Sequence, residues 1–462
     1  MKILVCIRQG LDGEINPFDA CAYEAALQIN DAEVIIISMG PSSVSDFLLR
    51  LTRLGAKKAI LLSDKAFAGA DTIATAYTLS LAVKKIKPDL IFCGRQTLIG
   101  DTAQTGAMLS VFAETSLISN VMSIDNIGEK ITCTTRETGV KSVLLPALLT
   151  IERINTLRLP SILSRTGALE VWDAKDIGAD TLRCGLIGSP TRVIKTYENH
   201  SGKRKCKIIS PEELDKVIKI ALNKQKMKVS MPVNDHALLE KVFVIGKEPY
   251  SFASTVSDNI TVIEEKDTNR IVDIIRTHKP DAVLWASDAW SKETAAKVSA
   301  ILNLGLCADC TSLETDGKQL IMYRPALSGS IIAKIISLTK PAMATVRTGK
   351  ASDDIVIAAG WGAKNDIEVI RSFAKRKGAQ LATTRKAVDN NILSYDLQVG
   401  LTGKTISPPI YIAVGISGAV HHIVGMQQSG TVIAINPDKN APIFDYADYG
   451  IIASADILDT LA

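Results

Sequence analysis

The feature that most constrains this chain is an alternation of short apolar strands with helices that starts twice at nearly the same pitch. Residues 2–7 (KILVCI) and 33–38 (EVIIIS) are apolar and β-branched, and 19–29 between them carries Ala, Tyr and Leu at helical spacing. A helix from Phe47, a strand at 59–62, an amphipathic helix at 70–85 and a buried strand at 90–93 continue the series. This alternation predicts a parallel sheet covered on both faces, with ligands received at the carboxyl ends of its strands. Periodicity is lost around Pro232 and then resumes with strands at 242–245 and 259–263 and a helix at 268–277. Lys279-Pro-Asp-Ala-Val-Leu-Trp285 echoes Lys87-Pro-Asp-Leu-Ile-Phe-Cys93 at an offset of 192 residues, and Pro341-Ala-Met-Ala-Thr-Val346 echoes Pro146-Ala-Leu-Leu-Thr-Ile151 at an offset of 195. Two tags in the same order at nearly equal spacing predict a duplicated domain, packed about a pseudo-two-fold axis. A third pattern follows, with strands at 354–359, 379–382, 411–414, 431–435 and 450–453 and a helix at 367–377 that Gly378 stops.

At 462 residues the chain suits two to four domains. Its formal charge of +4 is thinly spread, with basic clusters only at 203–207 and 223–228, which argues against nucleic-acid binding. No apolar run approaches the ~20 residues of a membrane span. The chain enters a strand at once, without the layout of a signal peptide. Eight cysteines in such a chain predict thiols in a reducing cytoplasm. Cys307 and Cys310 form one CxxC without a second pair or nearby histidines, so no metal site is expected and the pair reads as structural. Ser210 followed by Glu213 is a capping box opening a helix at 211–228.

Three strand ends carry polar, glycine-bearing turns. Cys6-Ile-Arg-Gln9 leads to Asn16-Pro-Phe-Asp19, and Cys93-Gly94-Arg95-Gln96 leads to Gly100-Asp101-Thr102-Ala-Gln104-Thr105-Gly106. Such turns cap helices, and they also suit a phosphate, with Arg95 as counter-charge. Near the end of the chain, strand 411–414 runs into Gly415-Ile-Ser417-Gly418-Ala419 and a helix carrying His421 and His422. Backbone N–H groups in that turn and the helix N-terminus favour a pyrophosphate.

These segments resemble the electron transfer flavoprotein family over essentially the whole chain. CIRQ, NPFD, FAGADT, CGRQ, GDTAQTG and GLIGSPTRV are similar to its beta subunit. LGLCADCT, RPA and TVR resemble the first domain of its alpha subunit, and QVGLTGK with GISGA resembles that subunit's FAD-binding segment. The two subunits, normally separate chains, are fused here with beta first. The resemblance implies an α/β fold of two similar parallel-sheet, nucleotide-binding-like domains followed by a smaller α/β FAD-binding domain. The expected boundaries are a beta-like domain with a C-terminal arm at 1–227, a linker at 228–237, an alpha N-terminal-like domain at 238–347 and the FAD-binding domain at 348–462. Trp285 to Lys292 lacks the Gly-Arg pattern of the corresponding loop, so no nucleotide is assigned to the middle domain.

By the same resemblance Gly415, Ser417, Gly418 and Ala419 approach the FAD pyrophosphate, while Thr384 and Arg385 flank the flavin ring. Gln398, Val399, Gly400, Thr402 and Gly403 surround the ring and ribityl chain, His422 lies near O2, and Asn436 is on the adenosine side. Donors at N1 and O2 stabilise negative charge on reduced flavin and raise its potential. In the beta-like half, Cys6, Asn16, Asp19, Cys93, Gly94, Asp101, Thr102, Gln104, Thr105 and Gly106 are implied to hold AMP or a second FAD. Leu163, with Ile162 as alternative, is the implied anchor that docks on partner dehydrogenases.

Several departures bear on the reading. Gly10 to Ile15 is a short turn where the family has a longer hairpin, and Ser164-Arg-Thr-Gly-Ala168 replaces a basic run. Trp361 stands where the family commonly has an arginine over the flavin, which should lower the potential. Ser454 stands where aspartate is common, with Asp456 two residues later as a substitute. The expected function is an electron carrier taking electrons from an acyl-CoA dehydrogenase-like flavoenzyme to a downstream redox protein, with no catalytic acid, base or nucleophile. Two alternatives stay open: an electron-bifurcating, NADH-oxidising protein with two FADs, and a nucleotide-binding scaffold or sensor. Fusion supplies both halves in one chain, leaving monomer and homodimer both open.

Overall fold

Both tags of the repeat do the same structural work in their two settings. Lys87 and Lys279 each end a helix in the left-handed conformation, at φ 53° and 42°, with their N–H groups donating to Val83 O and Ile275 O. Two residues on, Asp89 accepts the Lys2 N–H at 2.7 Å and Asp281 accepts the Lys241 N–H at 3.0 Å, tying each helix end to the start of the neighbouring strand. Pro146 and Pro341 both follow cis peptide bonds and precede the strands Ala147–Ile151 and Ala342–Val346. In those strands Thr150 and Thr345 accept at Oγ1 the N–H of a left-handed residue on the next strand, Asn120 at 2.9 Å and Asp309 at 2.8 Å. The parallel pairing shifts register at both places.

The structure, a computed structural model, describes residues 1–10, 12–152, 155–198, 203–226, 238–327, 331–348, 354–400, 403–404, 406–427 and 429–461. The expected linker at 228–237 and Thr402 lie outside the described residues. Counting described residues, one compact unit comprises 1–196, 238–327 and 333–346, and the other 197–226, 331–332 and 347–461.

The first unit contains the duplication. Its nine-stranded sheet includes, in spatial order, Ser116–Ile127, Ala147–Ile151, Leu90–Gly94, Lys2–Cys6 and Glu33–Met39, all parallel. Its five-stranded sheet repeats that order with Leu306–Cys310, Ala342–Val346, Ala282–Ala286, Val242–Ile245 and Ile260–Ile263. The helices Thr105–Phe112 and Ala289–Leu302, each following the equivalent strand of its sheet, pack against one another. An element meeting its own counterpart is the contact that a pseudo-two-fold axis produces. One apolar cluster, holding Leu4, Ile91 and Met108 together with Phe243, Trp285 and Met343, runs through both domains.

The second unit is a six-stranded parallel sheet in the order Lys207–Ile208, Tyr449–Ile451, Thr431–Ile435, Ile410–Val414, Ile355–Ala359 and Gln380–Thr383. Its first strand comes from the segment ahead of the capping box, which therefore adds an edge to this sheet. Arg204 fixes that segment by donating to Gly430 O at 3.0 Å and Ser429 O at 2.7 Å and by pairing with Asp448. The capping box forms, with the Ser210 N–H donating to Glu213 Oε2 at 3.0 Å. The helix Leu214–Lys226 then buries Leu214, Val217, Ile218 and Ala221 in one cluster with Ile410 and Ile412. The chain is thus α/β throughout, with two similar parallel-sheet domains and a smaller α/β domain.

Candidate functional site

In the second unit the strand order reverses between Ile355–Ala359 and Ile410–Val414: the chain continues from the first to the Gln380–Thr383 edge, and from the second toward Thr431–Ile435. A crevice at the carboxyl ends of such a pair is where open α/β sheets take ligands. Gly360, Trp361, Gly415 and Ser417 leave the sheet there. The two turns approach so closely that only glycine fits: a Cβ on Gly360 would lie 2.2 Å from Gly415 O, and one on Gly415, at φ +62°, would lie 2.5 Å from Ala363 N. Gly362 N–H donates to Gly415 O at 3.0 Å, Ile443 N–H to Ser417 O at 3.1 Å and Asn436 Nδ2 to Ile416 O at 2.9 Å, holding the glycine turn from both sides. Ser417 remains exposed. Ala419 offers no side-chain cap to the helix Val420–Met426, whose His422 N–H donates to Ala419 O at 2.9 Å.

The QVGLTGK box is positioned by the sheet edge. Val399 N–H donates to Thr383 O at 2.9 Å, and Lys404 N–H returns to Gln398 O at 2.7 Å, folding Gly400 and Gly403 into a tight loop against the helix Val420–Met426. Thr384 N–H donates to Ala359 O at 3.3 Å, which sets Arg385 beside the first turn. Trp361, Thr384, Arg385, Gln398, Val399, Gly400, Gly403, Gly415, Ser417, Gly418, Ala419 and His422 therefore converge on one end of the sheet, with Asn436 after the next strand.

His422 carries two internal partners. Its Nδ1 is 3.1 Å from Val399 O and its Nε2 is 2.9 Å from the Tyr411 hydroxyl. A carbonyl only accepts, so Nδ1 carries the proton and the Tyr411 hydroxyl donates to Nε2. Burial pushes the imidazole down to about 4 against the raising effect of the Val399 bond, so the ring is neutral. The cations of the crevice are instead Arg385, whose Nε lies 3.2 Å from Asp389, and two lysines over the Trp361 indole. Lys364 Nζ lies 4.6 Å and Lys386 Nζ 5.6 Å from that ring centroid. Where the resemblance implies that a family arginine is lost at Trp361, neighbouring Lys364 and Lys386 bring positive charge to the indole, which nothing local in the sequence signals.

The first unit holds a cavity of about 950 Å³ at the carboxyl ends of Lys2–Cys6, Glu33–Met39 and Leu90–Gly94. Cys6 and Cys93 pair in register beneath it. Asp19 is buried and accepts the Arg8 N–H at 2.8 Å; burial pushes its carboxyl up to about 7 against that bond, those of Asn16 and Gly94, and the charge of Arg8. A Cβ on Gly94 would meet Asp19 Oδ1 at 2.3 Å, so glycine is required for Asp19 to sit there. Asn16 Nδ2 donates to Gln96 O at 2.9 Å, and Gln96 Nε2 donates to Asp101 Oδ1 at 2.9 Å. Thr102, Gln104, Thr105 and Gly106 line the cavity, and Asp101 (φ 51°) and Ala103 (φ 54°) turn their loop into a concave run of backbone groups suited to an anion. Arg95, the expected counter-charge, is held 3.3 Å from Glu152. Sequence reasoning missed Arg8 at the mouth and Arg324 on the opposite wall, which comes from the second domain.

Two family descriptions match this architecture. "Electron transfer flavoprotein domain" matches twice, at residues 3–177 and 261–371. The chain belongs to the electron transfer flavoprotein family. "Electron transfer flavoprotein FAD-binding domain" matches residues 351–427, which contain the crevice of the second unit, so FAD is the cofactor of that unit. The double match of the first description is the duplication seen in the sheets. Among electron transfer flavoprotein relatives, the beta subunit of Clostridium acetobutylicum is 39% identical over 201 residues, 41% of this chain and 78% of its own. The alpha subunit of Thermoanaerobacterium thermosaccharolyticum is 33% identical over 229 residues, 39% of this chain and 69% of its own. Protein FixA of Azorhizobium caulinodans is 36% identical over 227 residues, 45% of this chain and 81% of its own. Each relative spans part of the chain, as a fusion of two subunits requires.

The residues present fit FAD: the closely approaching glycine turns and the exposed Ser417 suit a pyrophosphate, and Arg385 with the two lysines suits the negative charge of reduced flavin. FAD supplies the electron-accepting ring. This chain's residues position it and set the charge around it.

Proposed function

We propose that the chain is an electron carrier whose single FAD takes electrons from an acyl-CoA dehydrogenase-like flavoenzyme and passes them to a downstream redox protein, with an adenine nucleotide in the cavity of the first unit. The observation that carries this reading is the chemistry of the flavin crevice. His422, its one buried imidazole among the described residues, is neutral with both ring nitrogens engaged, so that ring is held out of proton transfer while Arg385, Lys364 and Lys386 supply charge. A carrier needs just that. Among the described residues no helix is long and apolar enough to cross a membrane. The eight cysteines form no disulfide, and we place the chain in a reducing compartment such as the cytoplasm.

A second reading, two FADs with NADH oxidation, is favoured by the size of the first unit's cavity. Its 950 Å³ reaches the upper end of the roughly 300–1,000 Å³ of small-molecule pockets and exceeds what a mononucleotide alone fills. The turn at 10–15 argues the other way: Gly10 N–H donates to Glu14 O at 2.7 Å, closing a hairpin too short to build a further nicotinamide surface. Extracting the nucleotides separates the readings. The carrier is expected to release one FAD and one AMP per chain and not to bleach with NADH. Two FADs with NADH bleaching would replace it with the second reading, and a chain without flavin would leave only a scaffold.

Docking is proposed to run through the loop after Arg158. Its base is fixed by Arg158, whose Nη2 lies 2.8 Å from Glu24 Oε1, while Leu159, Ile162 and Leu163 beyond are 89%, 97% and 90% exposed. Three apolar side chains that exposed on one loop suit a partner's apolar pocket. Leu163→Ala is expected to slow reduction by an acyl-CoA dehydrogenase about tenfold or more while leaving the flavin spectrum and FAD content unchanged. An unchanged rate in both Leu163→Ala and Ile162→Ala would remove this loop from the docking surface.

A further inference from the structure

The cavity of the first unit has a second wall that the sequence gives no reason to expect. Leu306, Ala308, Ala326, Ala333 and Ile335 of the second domain line it opposite the strand ends, and the one charged group among them is Arg324. Arg324 lies on the strand Leu320–Ala326 and is 5% exposed. Its Nη2 donates to Asp101 O at 2.9 Å, across 223 residues of sequence. Its Nε is buried without a hydrogen-bond partner, and among the described residues no carboxylate pairs with the guanidinium. Gln104 Nε2, on the same cavity and 1% exposed, is likewise unpartnered. A buried cation without a counter-charge is strongly disfavoured unless something supplies one. The other arginines do not compete for that role: Arg95 is held by Glu152, and Arg8 is exposed at the mouth.

We propose that Arg324 binds an anionic group of the nucleotide in this cavity through Nε while Nη2 holds the loop at 99–104, so that the second domain completes the first domain's nucleotide site. The inference rests on the reading that this cavity holds an adenine nucleotide. Both groups of the fork are then used, since a guanidinium can serve a backbone carbonyl and a phosphate at once. The unpartnered Gln104 amide offers the same phosphate a second donor. Because the ligand then touches both domains, its binding also strengthens their docking within the unit, and removing it weakens that docking by the same free energy.

The test uses the full chain refolded with one equivalent of FAD and titrated calorimetrically with AMP and with adenosine. Arg324→Gln is expected to weaken AMP about tenfold or more, the scale of one charge-assisted hydrogen bond, and to leave adenosine unchanged. Equal losses for AMP and adenosine would reduce Arg324 to a support of the loop and overturn the proposal, as would AMP binding that does not change. If Arg324→Gln does not fold, Arg324→Lys decides in the same way, because it keeps the charge and loses the fork. Wild-type protein that binds neither ligand would overturn the nucleotide reading itself, and this inference with it; wild-type binding of AMP with an unaffected variant overturns the inference alone.

Discussion

Gly415→Val is expected to yield a chain that purifies without flavin. At φ +62° a β-branched residue is strained by more than the ~1–2 kcal/mol that an ordinary side chain costs in the left-handed region. The added Cβ would stand 2.5 Å from Ala363 N and 2.7 Å from Ala363 Cβ, and neither atom can move without shifting the turn that carries Trp361. The two turns would separate at the point where the strand order reverses, which removes the cradle for the pyrophosphate. A loss of about 3–5 kcal/mol in the second unit follows from backbone strain and overlap together, with FAD per chain falling below a tenth of wild type. Gly415→Ala keeps the overlap with less strain and should fall between. Ser417→Ala, at an exposed position of the same turn, loses one hydroxyl and should retain most of its flavin. Absorbance per chain and calorimetry check all three, and a Gly415→Val protein with full flavin would remove this turn from the cofactor site.

What the sequence showed and what it hid divide along a physical line. The KPD tag was legible because it recurs and because a lysine that ends a helix in the left-handed region needs only its own helix; the aspartate's partner, 87 residues away in one copy and 40 in the other, was not. GISGA and QVGLTGK were legible through their glycines, since the positive φ at Gly400, Gly415 and Gly418 is a local demand, whereas the segments that crowd those glycines, 363 against Gly415 and 443 against Gly418, were not. The partners of Arg324, His422 and Trp361 were not. Asp101 precedes Arg324 by 223 residues, Val399 precedes His422 by 23, and Lys386 meets the Trp361 ring from a different helix. Lys386 reaches Trp361 because the sheet order sets Ile355–Ala359 and Gln380–Thr383 side by side, and Asp101 meets Arg324 because two different sheets face one cavity; both placements are properties of the fold. The strand Lys207–Ile208 was hidden for another reason: two residues on a sheet edge carry no periodicity to detect.

Trp361 shows how far such contacts alter a reading of charge. Taken from the sequence, loss of the family's arginine there lowers the flavin potential. With Lys364 and Lys386 stacked on the indole, and neither in an ion pair among the described residues, two positive charges remain within reach of the crevice. Arg385 is partly neutralised by Asp389, so these lysines are its least compensated cations.

The neutrality of His422 makes the second unit acid-sensitive, and the sign follows from its partners. In the fold the imidazole titrates at about 4, below its ordinary 6.5, because burial disfavours the charged ring. A depressed folded value means the neutral ring is the native form: its contribution is complete above about 6.5 and is lost as the pH falls from there to about 4. The full swing is roughly 3 kcal/mol. Asp19 in the first unit runs the opposite way, since burial raises its carboxyl to about 7 and its contribution declines as the pH rises toward that value. A wild-type curve therefore mixes the two, and the difference between wild type and His422→Gln isolates the imidazole. Flavin-free His422→Gln is expected to be less stable than wild type at pH 7.5, with the gap closing by about 2–3 kcal/mol toward pH 4.5 in the calorimetric transition of the second unit. Tyr411→Phe removes the donor to a buried Nε2 and should cost about 1–3 kcal/mol at pH 7.5. A gap that stays constant from pH 7.5 to 4.5 would mean that the imidazole titrates alike in the folded and unfolded chain, so that burial beside Val399 and Tyr411 does not hold the ring neutral.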